Sequence, residues 1–266
     1  MRQSIIKLLE QIKQERPLIH NITNQVVMNF TANGLYALGA LPIMAHEKNE
    51  VAEIVAHADA LVLNIGTLTT EILESMIIAG HAANKKGIPV VFDPVGVGVT
   101  TFRSHAAQRI MSEINLSLIR GNAAEISHLT GLRATARGVD ASEVLDGPSI
   151  IKQSTQKLNV PILMTGKVDY IANQEILYQV SNGSELLTKV TGAGCLLSSI
   201  AGAFLAVSQS SILAAVAAVS YFTIAAEKAA EKTSFPGQFQ IALLDALSSI
   251  TEADIIDRLC LEKVGE

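Results

Sequence analysis

The sequence predicts an α/β fold in which helices flank both faces of a mainly parallel central sheet. Apolar runs rich in Val and Ile alternate with helical stretches over most of the chain. These runs are continuously apolar, as is typical of strands that are buried on both faces. With 266 residues, of which 49% are hydrophobic, the chain can bury a substantial core. Because no repeat, low-complexity tract or linker interrupts the pattern, we expect a single domain over residues 1–266.

The predicted elements follow one another in a regular order. Residues 1–10 combine apolar and charged positions and predict an amphipathic helix. Short apolar runs predict strands over residues 60–65, 88–92, 116–119 and 160–164. The intervening segments predict helices over residues 69–86, 104–114, 123–130 and 149–158. We also predict an antiparallel pair over 170–172 and 176–180, a surface loop over 133–148 and an almost wholly helical C-terminal third.

Charge and cysteine content exclude some classes of partner. The formal net charge is −5, and the 20 Lys and Arg residues form no basic run, which argues against nucleic acid as a partner. Cys195 and Cys260 provide neither a disulfide framework nor metal-ligand spacing, which fits a reducing, cytoplasmic location. Charged residues make up only 17% of the chain, so we expect part of the surface to be buried in a homo-oligomer.

An uncharged segment, residues 196–226, is long enough to span a bilayer. However, the polar residues 208–211 interrupt it, and Ala and Ser are more frequent in it than Leu and Ile. No cluster of Lys or Arg marks a cytoplasmic flank. We therefore predict two buried helices and no membrane span.

Residues 189–195, Lys-Val-Thr-Gly-Ala-Gly-Cys, lead directly into the first of these helices. The glycines leave backbone N–H groups unshielded where the helix dipole favours an anion such as phosphate. Cys195 lies on the first turn, beside this predicted anion site. The alternative is that Gly192 and Gly194 only permit close packing and that Cys195 is an inert core residue.

Polar residues follow four predicted strands: Asp93, Arg120, Glu125 and Thr165. The carboxyl ends of parallel strands meet at one edge of a sheet, where ligands of open α/β sheets bind. The two carboxylates can organise Mg²⁺, and the arginine and threonine can bind phosphate oxygens. Phosphoryl transfer needs mainly such positioning and charge stabilisation. Alternatively, these are ordinary turn residues, and Asn122 with Glu125 forms only a helix capping box.

Seven ordered blocks carry a family resemblance: PLIHNITN (17–24), NFTANG (29–34), LGALPIM (38–44), NIGTL (64–68), FDPVG (92–96), RGNAAEI (120–126) and VTGAGC (190–195). They resemble the hydroxyethylthiazole kinases, the thiamine-salvage branch of the ribokinase-like superfamily. The resemblance implies a ribokinase-like three-layer fold and a homotrimer with sites between subunits. It also implies ATP- and Mg²⁺-dependent phosphorylation of the primary hydroxyl of 4-methyl-5-(2-hydroxyethyl)thiazole, for thiamine biosynthesis or salvage.

The resemblance also implies roles for individual residues. Arg120 and Thr165 would contact ATP, and Asp93 and Glu125 would serve the metal and its waters. Met44 and Gly192 would contact the thiazole.

The remaining site residues lie close to the expected acceptor. Asn24 is a candidate for orienting the thiazole ring or its hydroxyl. Cys195, with Gly192 and Gly194, takes the catalytic position, at which most of the superfamily carries an aspartate base. His20 is equally well interpreted as a structural residue, and no catalytic role is assigned to Asn21.

The role of Cys195 and the choice of acceptor stay open at this point. A thiol beside phosphate is a poor general base, so we expect Cys195 mainly to shape the site. The same fold could phosphorylate another small alcohol, such as a hydroxymethylpyrimidine. Outside the kinases, Cys195 could be an acyl-transfer nucleophile, or the chain could bind a nucleotide without catalysis.

Overall fold

The computed structural model describes residues 1–132 and 146–265. In chain order, its helices are α1 (Arg2–Glu15), α2 (Met28–Leu38), α3 (Val51–His57), α4 (Thr70–Lys86), α5 (Thr101–Glu113), α6 (Ala123–Thr130), α7 (Gly147–Leu158), α8 (Ala193–Ala206), α9 (Ser211–Lys232), α10 (Pro236–Ser249) and α11 (Glu252–Arg258). The strands are β1 (Leu18–Ile22), β2 (Leu41–Ile43), β3 (Ala60–Asn64), β4 (Val90–Asp93), β5 (Leu118–Asn122), β6 (Ile162–Thr165), β7 (Asp169–Ala172), β8 (Leu177–Val180) and β9 (Leu261–Lys263). A 3₁₀ helix, Glu185–Lys189, precedes α8.

Within the described part of the chain, the strands form one mixed sheet in the order β2-β1-β3-β4-β5-β6-β7-β8-β9. The pairs from β2 to β6 are parallel, and the pairs from β6 to β9 are antiparallel. One apolar core lies between the sheet and α1, α2, α8, α9 and α10. A second core lies between the opposite face and α3 to α7. The predicted three-layer architecture is therefore confirmed.

The central elements lie close to their predicted positions. Strands β3 to β6, the antiparallel pair β7–β8 and helices α4 and α6 are confirmed within a few residues. Helix α5 begins earlier than predicted, because the Thr100 side chain accepts a hydrogen bond from the backbone N–H of Arg103 and so caps the helix.

Two expectations need correction or lie beyond the described chain. The predicted surface loop 133–148 falls mostly outside the described residues, and its last two positions belong to α7, which Asp146 caps. The C-terminal third is not almost wholly helical, because β9 pairs with β8 and extends the sheet.

The uncharged segment forms two helices, α8 and α9, as predicted. In the described chain, α9 is the one helix that is long and apolar enough to cross a membrane by length and composition. Of its most apolar window, 83% is buried inside the protein. Helix α8 packs so closely on the sheet that a Cβ at Gly202 would lie 2.9 Å from Val62 Cγ2. Both helices belong to the core.

The sheet register brings the polar strand ends together. Asn64 at the end of β3 is paired with Asp93 at the end of β4. Asn122 at the end of β5 is paired with Thr165 at the end of β6. Because α8 packs on β3 and β4, its N-terminus lies over this edge of the sheet.

Candidate active site

The N-terminus of α8 is built on glycine. Gly192 is the N-cap residue, with a φ of 90°, and its position makes no side-chain cap hydrogen bond. The left-handed conformation favours glycine, and a Cβ there would also lie 2.7 Å from Val27 Cγ1. The first backbone N–H groups of a helix have no intrahelical acceptor, so those of Ala193, Gly194 and Cys195 can bind an anion.

Arg120 lies directly against this helix terminus. A Cβ at Gly194 would be only 2.7 Å from Arg120 Nη2, so the absence of a side chain admits the guanidinium. The same Nη2 donates to Thr165 Oγ1 at 2.7 Å, while the buried Nε finds no acceptor within residues 1–132 and 146–265. The structure therefore brings together the two residues predicted to contact ATP, beside the glycine-rich turn.

These groups line a pocket of about 730 Å³. Lys167 and Lys189 add positive charge to it, and residues 181–185 form a further part of its wall. Buried Asp169 lines the same pocket, where Gly166 N donates to Asp169 Oδ1 at 3.0 Å. Burial raises the pKa of Asp169 to about 6, and the Gly166 hydrogen bond and Arg120 oppose the rise. Three cationic side chains and two carboxylates, those of Asp169 and Glu185, line the pocket, which has room for a polyphosphate.

Asp93 is fully buried below the helix terminus. Its Oδ2 accepts hydrogen bonds from Asn64 Nδ2 at 2.8 Å and Ser198 Oγ at 2.7 Å. Its Oδ1 has no hydrogen-bond partner among the described residues and lies 4.0 Å from Arg120 Nη1. Burial raises the pKa of Asp93, and Arg120 is the main opposing influence. One carboxylate oxygen is thus left available for a cation or a water bound to one.

Glu125 forms the capping box that was the alternative interpretation of its sequence pattern. Its Oε2 accepts from Asn122 N at 2.9 Å, and Asn122 Oδ1 accepts from Glu125 N. Its Oε1 accepts from Gly96 N at 3.0 Å, which ties the loop after β4 to α6. Each oxygen keeps a second lone pair that could accept from a metal-bound water.

The donor set fits Mg²⁺ held through few carboxylates. Among residues 1–132 and 146–265, no group of three or more His, Cys, Asp or Glu residues could enclose a metal ion. Mg²⁺ usually keeps several waters and is bound through one or two carboxylates plus phosphates. The unpaired Oδ1 of Asp93, with Glu125 nearby, matches that mode of binding.

Cys195 lies on the first turn of α8, as predicted, and Asn24 Nδ2 donates to its Sγ at 3.3 Å. Burial raises the pKa of the Cys195 thiol to about 11, and the charge of Asp93 adds to the rise. Hydrogen bonds from Asn64 and Asn24 and the charge of Arg120 lower it less. The thiol is therefore protonated at neutral pH and is not a thiolate nucleophile.

Met44 lies apart from this cluster. It follows β2 and lines a different pocket, of about 470 Å³, together with His46, Lys48 and Glu71. Neither Gly192 nor Cys195 lines that pocket. Its predicted contact with the thiazole stays a prediction.

The neighbouring polar residues of β1 have structural contacts. The buried ring of His20 bonds through Nε2 to Ala45 O at 2.7 Å, and burial lowers its pKa. Asn21 donates to Ile19 O and accepts from Ser199 Oγ. These contacts agree with the structural interpretation of both residues.

Four residues at this edge were missed in the sequence: Asn64, Ser198, Arg103 and Asp169. Arg103 donates to the main-chain carbonyls of Ile65, Gly66 and Val95 and so clamps the loops after β3 and β4. Only Asn64 carried a usable signal, because it ends a continuous apolar run just as Asp93 does. Ser198 and Arg103 depend on contacts between distant segments, and Asp169 has only a local hydrogen bond from Gly166 and lies in the pocket by the fold of β6 and β7.

Comparisons with known proteins show the family to which the chain belongs. The family model described as the hydroxyethylthiazole kinase family matches residues 9–253. The structure of a hydroxyethylthiazole kinase protein from Pyrococcus horikoshii OT3 is 40% identical, with a TM-score of 0.90 over 99% of this chain and 100% of that chain.

More distant structures share the fold. The pyridoxal kinase from Staphylococcus aureus, in complex with AMP-PCP, is 15% identical, with a TM-score of 0.62 over 80% of this chain and 88% of that chain. The ADP complex of Bacillus subtilis pyridoxal kinase is 18% identical, with a TM-score of 0.60 over 79% of this chain and 91% of that chain. The fold is the ribokinase-like α/β fold.

Proposed function

Because this chain belongs to the hydroxyethylthiazole kinase family and is an alcohol phosphotransferase, we propose that it phosphorylates the primary hydroxyl of 4-methyl-5-(2-hydroxyethyl)thiazole. ATP is the phosphoryl donor, and the thiazole phosphate serves thiamine biosynthesis or salvage in the cytoplasm. The main support for the proposal is that Arg120, Asp93 and Cys195 lie together at the open N-terminus of α8.

On the donor side, the nucleotide occupies the pocket beside Arg120 and Thr165. The backbone N–H groups of residues 193–195 donate hydrogen bonds to phosphate oxygens, and Arg120 neutralises the charge of the phosphates. The Arg120–Thr165 hydrogen bond holds the guanidinium in place before the nucleotide arrives. This preorganisation stabilises charge that develops during transfer.

Asp93 and Glu125 hold Mg²⁺ and its waters in this proposal. When bound, the ion neutralises charge on the phosphate oxygens. Asp93 is suited to this because Asn64 and Ser198 occupy only its Oδ2. Glu125 is suited because the capping box fixes its carboxylate at the end of β5.

On the acceptor side, Cys195 and Asn24 face the substrate hydroxyl, and Gly192 and Met44 contact the thiazole ring. Because Met44 lines a separate pocket, the full site forms between subunits of a homotrimer, each of which is a single domain over residues 1–266. Exposed apolar side chains support such an assembly, including Val26, Tyr36, Phe235 and Ile241.

The test is an ADP-release assay on the purified protein with a panel of alcohols. We expect ADP release with the thiazole alcohol to exceed release with a hydroxymethylpyrimidine, and chelation of Mg²⁺ to abolish it. A control without alcohol measures ATP hydrolysis. Preference for the pyrimidine would overturn the substrate assignment, and full activity after chelation would overturn the role of Mg²⁺.

A further inference from the structure

A continuous chain of buried hydrogen bonds links the two chemically different ends of the site. Asn64 Nδ2 donates to Asp93 Oδ2 at 2.8 Å. Asn24 Nδ2 donates to Asn64 Oδ1 at 3.0 Å and to Cys195 Sγ at 3.3 Å. Asn64 is 2% exposed and Asn24 is 5% exposed, so water cannot readily replace these partners. In the part of the chain that the structure describes, Asn64 is the residue that bonds to both Asp93 and Asn24.

The orientation of the Asn64 amide is determined at both of its ends. The backbone N–H of Gly66 donates to Asn64 Oδ1 at 3.0 Å, and a backbone N–H can only donate. On the other side, Asp93 Oδ2 also accepts from Ser198 Oγ and therefore acts as an acceptor. The oxygen of Asn64 thus faces Gly66, and its nitrogen faces Asp93.

This orientation determines the next amide as well. Asn64 Oδ1 is an acceptor, so Asn24 must present its nitrogen to it. The same nitrogen faces Cys195 Sγ, so the sulfur accepts a hydrogen bond and its own proton points elsewhere.

Close packing leaves Asn24 little freedom to turn away. A Cβ at Gly66 would lie 2.6 Å from Asn24 Cβ and 2.8 Å from Asn24 Nδ2. The loop after β3 therefore packs against Asn24 with its bare backbone. The same loop supplies the N–H that fixes Asn64, so the two amides are held as one unit.

We propose that Asn64 is a positioning residue of phosphoryl transfer, which acts on the Cys195 thiol both directly and through Asn24 to direct its proton toward the reacting oxygens. Asn64 touches neither substrate nor nucleotide in this role. Cys195 then acts as a hydrogen-bond donor in the site and abstracts no proton. The inference deepens the proposed function and rests on it for the identity of the acceptor.

The first test is a double-mutant cycle on the full chain with Asn64→Ala and Cys195→Ala. We expect Asn64→Ala to lower kcat by about tenfold to a hundredfold, with the KM for ATP changed less than about threefold. In the Cys195→Ala background, we expect Asn64→Ala to lower kcat no more than Ser198→Ala does. Ser198→Ala is the matched control, because it removes a donor to the same Asp93 oxygen and leaves the chain to Cys195 intact.

Two further variants separate positioning from folding. Asn64→Ser shortens the side chain and removes both the oxygen that accepts from Asn24 and the nitrogen that donates to Asp93, and we expect it to show the same coupling to Cys195. Asn21→Ala removes an equally buried asparagine on β1 that also contacts α8, and we expect no coupling to Cys195. If the factors by which Asn64→Ala and Cys195→Ala lower kcat simply multiply in the double variant, the two residues are not coupled. That result would overturn the proposal.

A second readout needs no catalytic activity. In a Cys260→Ser background, the pH dependence of alkylation by iodoacetamide reports the pKa of Cys195. Asp93 and Arg120 also influence that pKa, and Ser198→Ala, which removes a donor to the same Asp93 oxygen, measures how much of the change acts through Asp93. We expect the pKa to rise in Asn64→Ser and not in Asn21→Ala, because a hydrogen bond to the sulfur favours the thiolate. An unchanged pKa would refute the positioning role, whether or not the thiazole is the acceptor.

Discussion

The role of Cys195 in the reaction depends on whether its thiol holds a proton. Its raised pKa, about 11, means that it holds its proton at neutral pH. A loose transition state lets the substrate hydroxyl lose its proton late, so no strong base is required at this position. Cys195 can then shape the site and donate a hydrogen bond.

We therefore expect Cys195→Asp to keep or increase turnover, because a carboxylate can still accept from Asn24 and can also take a proton. Cys195→Ser should remain measurably active, since a hydroxyl both accepts and donates. Initial rates of thiazole phosphorylation check both variants, with circular dichroism to establish folding. Complete loss of activity in either folded variant would contradict this account of Cys195.

Asp169 gives a pH-dependent prediction. Its pKa rises from 3.8 unfolded to about 6 folded, so the folded chain binds the proton more tightly. Stability should therefore fall as pH rises through that window, by up to about 3 kcal/mol from this residue.

The amide introduced by Asp169→Asn stays neutral and can still accept a hydrogen bond from Gly166 N. The variant therefore does not lose stability as the pH rises through this window. We expect the stability of the variant relative to wild type to increase from about pH 4 to about pH 7. Urea unfolding without nucleotide, at both pH values, measures the free energy of unfolding of the variant and of the wild type. A difference that does not vary with pH would show that Asp169 titrates normally.

At the scale of elements, the account depends on the bare N-terminus of α8. Gly194 is the second residue of that helix, and Arg120 occupies the space of its missing side chain. Gly237 has the same position in α10, but no atom of the described residues lies within 4 Å of a Cβ there. The chain thus supplies a matched pair of helix-start glycines.

Gly194→Ala should displace Arg120 and raise the KM for ATP by about tenfold or more, because it removes a charge-assisted contact to phosphate. Gly237→Ala should leave that KM unchanged within about twofold. Alanine is a better helix former than glycine, so neither change weakens its helix intrinsically. Equal KM values for the two variants would place the nucleotide away from α8.

At the scale of the whole molecule, we expect a homotrimer. The low charge content and the exposed side chains of Tyr36, Phe235 and Ile241 favour a buried subunit surface. Met44 lines a different pocket from Arg120 and Thr165, and in the proposed trimer a second subunit would complete the site. Sedimentation velocity at micromolar concentration should give about three times the mass of one chain, and a monomer would exclude a site between subunits.

Much of the fold could be predicted, because β3 to β6 are continuous apolar runs whose burial follows from composition alone. β1 was missed because His20 and Asn21 interrupt its apolar pattern, and their burial depends on partners at Ala45 and Ser199. β9 is three residues long and partly charged, so it resembles a chain end more than a strand.

The candidate site was predictable where its residues follow strands. Because the carboxyl ends of parallel strands meet at one edge of a sheet, the sequence predicted that Asp93, Arg120 and Thr165 lie close together. Ser198 could not be foreseen, since its contact with Asp93 joins residues 105 apart in the chain. In the proposed homotrimer, the position of Met44 relative to the rest of the site depends on how the subunits assemble. No local sequence pattern predicts that assembly.

The most direct test of the central claim is a crystal structure of the protein with a non-hydrolysable ATP analogue. We expect the phosphates against the backbone N–H groups of Gly192 to Cys195, with Arg120 in contact and Asp93 and Glu125 directed at the same group. A structure in which the nucleotide leaves this corner empty, or in which Asp93, Arg120 and Glu125 point into separate cavities, would contradict the account.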